Sequence, residues 1–235
     1  MSWNDHAETN GSLTTKGFTL QGGNGHVPGL YWEPAGGSDR LVLLGHGGTA
    51  NKSVEYILFV AGLLAEKGIA SLAIDAPGHG ERADTSIKPG LDAFPKMWHG
   101  GGGHEGMLVD WRLALDFIEA EQGPRPTGWW GLSMGTMMGL PVTATDDRIK
   151  VAQLGLMGTW GPNAEQLRAL APKLECPVRF LVQWDDEVVP REQCLTLFDL
   201  IGSKRKTLHA NPGLHKDVPV FEMKESVEYL DSHLR

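Results

Sequence analysis

The sequence predicts an α/β fold, in which a mostly parallel central sheet of about eight strands carries helices on both faces. Short runs of residues that are apolar on both faces alternate with segments of helical length and period. Polar turn sequences follow these runs, at the strand ends where such sheets bind ligands. The chain has 235 residues, 41% of them hydrophobic and 21% charged. We therefore expect residues 1–235 to form a single domain with a large core.

Two strands at the amino end are predicted to pair with each other, and every later strand is followed by a helix. Residues 13–20 and 27–33 flank a turn-rich segment, which is typical of an antiparallel hairpin at a sheet edge. Further strands are predicted at residues 41–44, 69–74, 127–130, 151–156, 178–184 and 206–209. Helices are predicted at residues 53–67, 105–122, 134–145, 164–172, 191–202 and 218–233. This spacing leaves no room for a large cap domain between residues 133 and 186.

Residues 77–104 interrupt the compact pattern. The segment has no clear period and contains Pro89, Pro95 and four consecutive glycines. Loops of this length inside a compact domain are usually functional or disordered. Because it follows a strand end directly, the segment is a candidate lid over a site at that edge of the sheet. A solvated insertion without a role is the alternative.

The charge and the apolar pattern exclude several classes of function. A formal net charge of −8 and a pI of about 5.6 give no electrostatic footprint for nucleic acid. The longest apolar stretch, residues 56–65, is too short to span a bilayer, so no membrane partner is expected. Residues 1–11 are polar and lack the features of an export signal. We therefore expect a cytoplasmic protein with reduced cysteines at Cys176 and Cys194.

Five residues, Gly-Leu-Ser-Met-Gly at 131–135, join a predicted strand to a predicted helix. The chain must reverse there within two or three residues, which crowds the serine, and Gly131 and Gly135 relieve that crowding. Ser133 then lies at a helix amino end, where free N–H groups favour negative charge. Ser133 is therefore a candidate nucleophile, although a tight turn that happens to contain serine is the alternative.

A serine nucleophile needs a base and an acid, and later strand ends supply both. Asp185 and Asp186 follow the strand at 178–184, and His215 follows the last strand. Either aspartate has the right position: if Asp185 orients the histidine, Asp186 caps the next helix. His209 competes with His215, but it lies inside the last strand, where a histidine is usually a core residue. The order of nucleophile, acid and base is that of a known hydrolase fold.

The motifs taken together resemble one family over nearly the whole chain. They are His46-Gly47-Gly48, Asp75-Ala-Pro-Gly-His-Gly-Glu-Arg82, Gly131-Leu-Ser-Met-Gly135, Asp186-Glu-Val-Val-Pro190 and Gly213-Leu-His215. This set resembles the α/β-hydrolase superfamily, and most of all its small, cap-less dienelactone hydrolase-like serine esterases. Dienelactone hydrolases proper carry a cysteine nucleophile, so their lactone substrate is not carried over to Ser133. Gln183 and Thr136 stand where relatives often have glycine.

The resemblance implies a role for each matching residue. Ser133 would be the nucleophile, His215 the base and Asp186 the acid, since an acid followed by two residues and Val-Pro is the family pattern. The backbone N–H groups of Met134 and Gly48 would form the oxyanion hole. The chemistry needs no cofactor, and we expect a small-molecule ester as the partner.

Substrate contacts are expected from loops near the opening of the predicted site at Ser133. An arginine there would clamp a carboxylate, tryptophans would form an apolar wall, and histidines in a lid would touch substrate. The candidates are His46, Gly47, Arg82, Trp98, His104, Trp160 and Trp184. The same tryptophans are also plausible packing residues, the His46 turn is also plausible as a structural one, and Arg82 is equally plausible as a solvated surface residue. His99 and His104 have no second ligand cluster beside them, so no metal is expected.

The leading hypothesis is a serine hydrolase that cleaves a short ester, lactone or thioester through an acyl-enzyme. An acyltransferase or a lyase with the same triad is one alternative, because a fold does not fix the reaction. A non-catalytic binding module is another. The intact set of Ser133, Asp186 and His215 favours an enzyme.

Overall fold

The computed structural model describes residues 2–84, 86, 94–100 and 102–234. The strands are β1 (Ser2–Asn10), β2 (Leu13–Gly22), β3 (Gly25–Pro34), β4 (Leu41–Gly45), β5 (Ala70–Ile74), β6 (Thr127–Gly131), β7 (Ile149–Gly155), β8 (Val178–Gln183) and β9 (Lys206–Asn211). The helices are α1 (Glu55–Glu66), α2 (Phe94–Gly100), α3 (Gly103–Gln122), α4 (Met134–Thr145), α5 (Ala164–Leu170), α6 (Arg191–Leu200) and α7 (Val220–His233). Every strand and helix that the sequence predicts is present, with its ends within two residues of the expected positions.

Among the residues that the structure describes, the strands form one nine-stranded sheet in the order β1-β2-β3-β5-β4-β6-β7-β8-β9. The strands β1, β2 and β3 pair antiparallel, as do β3 and β5, and all pairs from β5 to β9 are parallel. Parallel neighbours need crossover connections, and here helices make them. The carboxyl ends of β4, β6, β8 and β9 therefore meet at one edge of the sheet.

Two hydrophobic clusters cover the two faces of the sheet. Alternate residues of β4 divide between them: Leu41 and Leu43 belong to one cluster, and Val42 and Leu44 belong to the other. The first cluster packs against α3, α4, α5 and α6, and the second packs against α1 and α7. Burial on both faces explains why the inner strands read as continuous apolar runs.

The first strand, β1, is an addition to the predicted sheet. Its sequence is polar and most of its described side chains are exposed, so it has no alternation that would predict a strand. The strand is held by pairing with β2 and by Trp3, whose ring packs against Phe18, Tyr31 and Phe117. An edge strand of this kind depends on its neighbour more than on its own pattern.

In the described part of the segment at 77–104, helix α2 and a single 3₁₀ turn at Gly80–Arg82 were not predicted from the sequence. Residues 85, 87–93 and 101 of the predicted lid segment lie outside the described residues, and the lid role stays a prediction. Residues 133–186 are all described, and they form α4, β7, α5 and β8 without a cap domain. In the part of the chain that the structure describes, no helix has the length and apolar character needed to cross a membrane.

Candidate active site

Ser133 lies between β6 and α4 with a φ of 56° and a ψ of −121°. A positive φ is strained for a residue with a side chain, and such strain persists only where the surroundings impose it. Here the close packing of the turn imposes the positive φ of Ser133. A Cβ on Gly131 would lie 2.7 Å from the Gly135 carbonyl oxygen, and a Cβ on Gly135 would lie 2.3 Å from that of Gly45. Both positions therefore require glycine, as the sequence predicts.

The position of Thr136, where a third glycine was the family expectation, carries a buried hydroxyl that ties the turn to β7. Its Oγ1 accepts the backbone N–H of Gly155 at 2.7 Å. The hydroxyl proton has two carbonyl oxygens within reach, Gly131 at 2.9 Å and Gly155 at 2.6 Å. The backbone N–H of Ser133 donates to the same Gly155 oxygen at 2.9 Å. These bonds join the nucleophile turn to the neighbouring strand.

The structure brings Ser133, His215 and Asp186 into one hydrogen-bonded chain. His215 Nε2 lies 2.9 Å from Ser133 Oγ, and His215 Nδ1 lies 2.7 Å from Asp186 Oδ2. The other carboxylate oxygen of Asp186 accepts the N–H groups of Val188 and Val189, both at 2.8 Å. Burial alone would raise the pKa of Asp186, but the hydrogen bonds from His215, Val189 and Val188 outweigh burial and hold this pKa below its usual value. Asp186 is therefore ionised, and His215 carries its proton on Nδ1.

The neighbouring acids contact the histidine loop through its backbone. The Asp185 N–H donates to the Gly213 carbonyl at 3.2 Å, and the Asp185 carboxylate accepts the Gly213 N–H at 3.1 Å. The Glu187 carboxylate accepts the N–H of His215 at 2.9 Å, a contact that the sequence did not predict. The imidazole itself faces Asp186, so the alternative in which Asp185 orients the histidine is not the arrangement found.

Gly48 and Met134, the predicted oxyanion-hole residues, both lie beside Ser133. The backbone hydrogen bonds of the described residues leave both N–H groups without an acceptor, and both residues line one cavity with Ser133. Met134 opens α4, whose first N–H groups have no partner inside the helix. The loop before Gly48 is fixed, because the Gly47 N–H donates to the Tyr56 hydroxyl at 2.6 Å. Tyr56 was missed in the sequence, where it reads as one more residue of an apolar helix.

His46 is fully buried and does not face the cleft, which corrects its assignment as a substrate contact. Its Nε2 accepts the N–H of Ala76 at 3.1 Å, so the ring proton lies on Nδ1, which contacts the Gly47 carbonyl at 2.9 Å. Burial lowers the pKa of His46 to about 4, and the ring is neutral near pH 7. His46 thus connects the end of β5 to the loop that carries Gly48.

Two cavities open beside Ser133, and both include Ser133 and Gly48 in their walls. The methionine cavity, of about 450 Å³, is lined by Met134, Met137 and Met157, with Trp160 and His99 also in its wall. The histidine cavity, of about 430 Å³, is lined by His215 and Tyr56, with Gly47 also in its wall. The predicted contacts Gly47 and Trp160 therefore lie at the site. A larger cavity of about 800 Å³ contains neither Ser133 nor His215 in its wall and is not part of the site.

Four further predicted contacts lie elsewhere. Arg82 donates to the Asp110 carboxylate at 2.7 Å and to the Asp75 carbonyl, so its guanidinium is already engaged. Trp98 is buried, and it lines with His104 a cavity that does not include Ser133. Trp184 is 46% exposed and stacks on the Arg191 guanidinium at 4.4 Å. None of these four side chains lines either cavity at Ser133.

Metal ligation is not suggested by the described part of the chain. Among residues 2–84, 86, 94–100 and 102–234, no three His, Cys, Asp or Glu side chains are grouped as ligands for an ion.

The chain is similar to known proteins of one family. A model of the alpha/beta hydrolase family matches residues 41–223. A PEG-bound cold-adapted esterase from an Arctic intertidal metagenomic library is 61% identical, with 100% of both chains covered and a TM-score of 0.95. The native structure of a cold-adapted esterase from such a library is 57% identical, again with 100% of both chains covered, at a TM-score of 0.90.

More distant structures share the fold alone. An acetyl xylan esterase from Paenibacillus sp. R4 is 19% identical, with 99% of this chain and 88% of that chain covered and a TM-score of 0.76. No curated protein matches the chain. The family match covers well over half of the sequence, and the chain belongs to the alpha/beta hydrolase family.

Proposed function

We propose that this protein is a serine esterase that cleaves carboxylic esters of small molecules through an acyl-enzyme. One observation carries the proposal: an unbroken chain of hydrogen bonds runs from the strained Ser133 through His215 to Asp186, with distances of 2.9 Å and 2.7 Å. Similarity to the cold-adapted esterase, at 61% identity over the whole chain, supports the same reaction. We further propose that residues 1–235 act as one catalytic domain.

The first half of the reaction forms the acyl-enzyme. His215 Nε2 accepts the Ser133 proton as Oγ attacks the ester carbonyl carbon. The imidazolium that forms is stabilised by the ionised Asp186, whose contact with Nδ1 also keeps the ring in the required tautomer. The positive φ of Ser133 holds Oγ above the turn, where substrate can approach.

The negative oxygen of the tetrahedral intermediate is stabilised by the N–H groups of Gly48 and Met134. Each such donor contributes about 3 kcal/mol to transition-state stabilisation in enzymes of this kind. Both donors are backbone groups held by their surroundings, Gly48 through the Tyr56 and His46 contacts and Met134 through α4. They need little reorganisation when charge develops.

The second half releases the acid. His215 returns the proton to the leaving alcohol oxygen, and the carbon–oxygen bond breaks. Water then takes the place of the alcohol, gives its proton to His215 and attacks the acyl carbon. Collapse of the second intermediate returns the proton to Ser133 and frees the carboxylic acid.

Hydrolysis of 4-nitrophenyl acetate and butyrate tests the proposal. Wild-type protein should turn over both esters with water as the only acceptor, and a fluorophosphonate probe should form an adduct on Ser133. Ser133→Ala and His215→Ala should each lower kcat by about 10⁴- to 10⁶-fold. Absence of both turnover and adduct would overturn the esterase proposal. An adduct with turnover only after a second alcohol is added would identify an acyltransferase instead.

A further inference from the structure

The methionine cavity and the histidine cavity meet at Ser133 but differ in the rest of their walls. His215 lines the histidine cavity and not the methionine cavity, whereas Met134 lines the methionine cavity and not the histidine cavity. The two volumes are similar, about 430 Å³ and about 450 Å³. Both lie near the lower end of the range of about 300–1,000 Å³ for ligand pockets. Each cavity is thus large enough for one half of a small ester.

The chemistry of attack decides which half enters which cavity. Once Ser133 Oγ has bonded to the carbonyl carbon, that carbon carries three other groups: the oxyanion, the acyl chain and the leaving oxygen. The oxyanion faces the N–H groups of Gly48 and Met134. The leaving oxygen must lie within hydrogen-bond reach of His215 Nε2, since that atom supplies its proton. The alcohol therefore extends on the side of His215, and the acyl chain extends on the other side.

The walls also differ in chemistry. The methionine cavity is lined by Met134, Met137, Met157, Val188 and Val189, with Trp160 at 47% exposure also in its wall, and apart from Ser133 its one polar side chain among the described residues is that of His99. Methionine side chains are flexible and polarisable, and they accommodate apolar groups of varied shape.

Besides Ser133 and His215, the histidine cavity includes four polar side chains, Thr49, Asn51, Tyr56 and Lys216, set among apolar residues such as Val54, Leu132 and Met223. The Tyr56 oxygen already accepts the Gly47 N–H, so the hydroxyl proton of Tyr56 is available as a donor to a ligand. Polar side chains of this kind fix the orientation of a ligand that carries hydroxyl groups.

From these observations we propose that the methionine cavity binds the acyl group and the histidine cavity binds the alcohol, and that the preferred substrates are esters of an apolar acid longer than acetic acid with a hydroxylated alcohol. This inference rests on the proposed esterase function and assigns the two sides of its substrate.

Two matched substitutions test the assignment. Val188 lines the methionine cavity, Val218 lines the histidine cavity, and both side chains are half-buried. Val188→Phe should narrow the acyl side, and Val218→Phe should narrow the alcohol side by the same added volume. The measurement is kcat/KM for a series of 4-nitrophenyl esters from acetate to octanoate, and for a series of acetates of alcohols of increasing size.

Val188→Phe should lower the hexanoate-to-acetate ratio of kcat/KM by about tenfold or more, since a change of methylene size in a pocket has effects of this order. Val218→Phe should leave that ratio near its wild-type value and lower the preference for larger alcohols instead. The reverse pattern, or equal effects of both variants on both series, would overturn the assignment. Thermal unfolding and fluorophosphonate labelling of each variant show that it is folded and has an intact nucleophile.

The polarity of the alcohol side is tested with one acyl group. Wild-type protein should hydrolyse glyceryl monobutyrate with a higher kcat/KM than butyl butyrate, because only the former offers hydroxyl groups to the polar wall. Equal rates or the opposite preference would overturn the polar-alcohol part of the inference. Failure to hydrolyse any ester would instead contradict the proposed function, so the two failures are distinguishable.

Discussion

The side-chain amide of Gln183 donates to the backbone carbonyl of Asp217 at a distance of 3.0 Å. The same amide nitrogen lies 3.2 Å from the carbonyl oxygen of Leu214. Gln183 is fully buried at the end of β8, and these two carbonyls lie on either side of His215 in the loop that follows β9. The amide therefore holds the backbone of the loop that carries His215 on both sides of this residue.

We expect Gln183→Leu to lower kcat by up to about 100-fold, because small displacements of a reacting group reduce rates to this extent. KM should change much less, since Gln183 lies in the wall of neither cavity at Ser133. Gln183→Glu keeps the shape and changes the donor. A carboxyl buried beside two carbonyl oxygens stays protonated, because burial disfavours its charge, and it can still donate one hydrogen bond. Gln183→Glu should therefore lower kcat and the rate of fluorophosphonate labelling less than Gln183→Leu does. Unchanged kcat in both variants would show that the loop does not depend on the amide.

The two neighbouring aspartates should have very different effects on activity. Asp186→Asn replaces the acceptor of the His215 Nδ1 proton and favours the wrong tautomer, so kcat should fall by about 10⁴-fold. Asp185→Asn loses at most one exposed hydrogen bond to Gly213, of about 0.5–1.5 kcal/mol. Steady-state kinetics of the two variants on 4-nitrophenyl butyrate measure the difference. A larger loss in Asp185→Asn would identify Asp185 as the acid.

The protein should be more stable to unfolding with glycine at position 133 than with alanine there. Ser133 has a φ of 56°, which is strained for a side chain and relaxed for glycine. Ser133→Gly should therefore exceed Ser133→Ala in free energy of unfolding by about 1 kcal/mol. Both variants lack the hydroxyl, so urea denaturation compares their stabilities without an effect of activity. Equal midpoints would mean that the turn relaxes when the hydroxyl is removed.

The burial of His46 makes stability depend on pH. Its pKa is about 4 in the folded state and near 6.5 when exposed, so below pH 6.5 protons bind the unfolded chain preferentially. This preferential protonation of the unfolded chain has no influence on stability above pH 6.5. As the pH falls towards 4, it lowers the free energy of unfolding by up to about 3 kcal/mol. His46→Gln keeps an acceptor for the Ala76 N–H and removes the titration.

The difference in unfolding free energy between wild type and His46→Gln should therefore shrink between pH 7 and pH 4. Other acids contribute equally to both proteins and cancel in this difference. A difference that stays constant over this range would show that His46 titrates normally.

The inner strands and the candidate triad were predictable because each has a local signal. Strands β4 to β8 are apolar on both faces, and turn sequences mark their ends. Ser133, Asp186 and His215 lie at three of these ends, so the topology of a parallel sheet brings them to one edge before any side-chain contact is considered. Because the three side chains share this edge, they lie close enough to form the hydrogen-bonded chain.

The features that the sequence did not predict depend on tertiary contacts. Strand β1 is polar and is held by its pairing with β2. From the sequence, the Arg82 guanidinium was expected to be free to bind a substrate carboxylate. In the structure it binds Asp110, which lies 28 residues further on in α3. Gln183 and Tyr56 contact backbone groups of distant loops, and no local sequence pattern predicts such contacts.

Gly48 and Ser133 belong to the walls of both the methionine cavity and the histidine cavity. With the two halves of a substrate on separate sides of this boundary, the first product can diffuse away while the acyl group stays attached to Ser133. The emptied side is then open to whichever hydroxyl compound is most abundant. If the proposed acyl-enzyme forms, a concentrated second alcohol should compete with water there and yield new esters by transesterification.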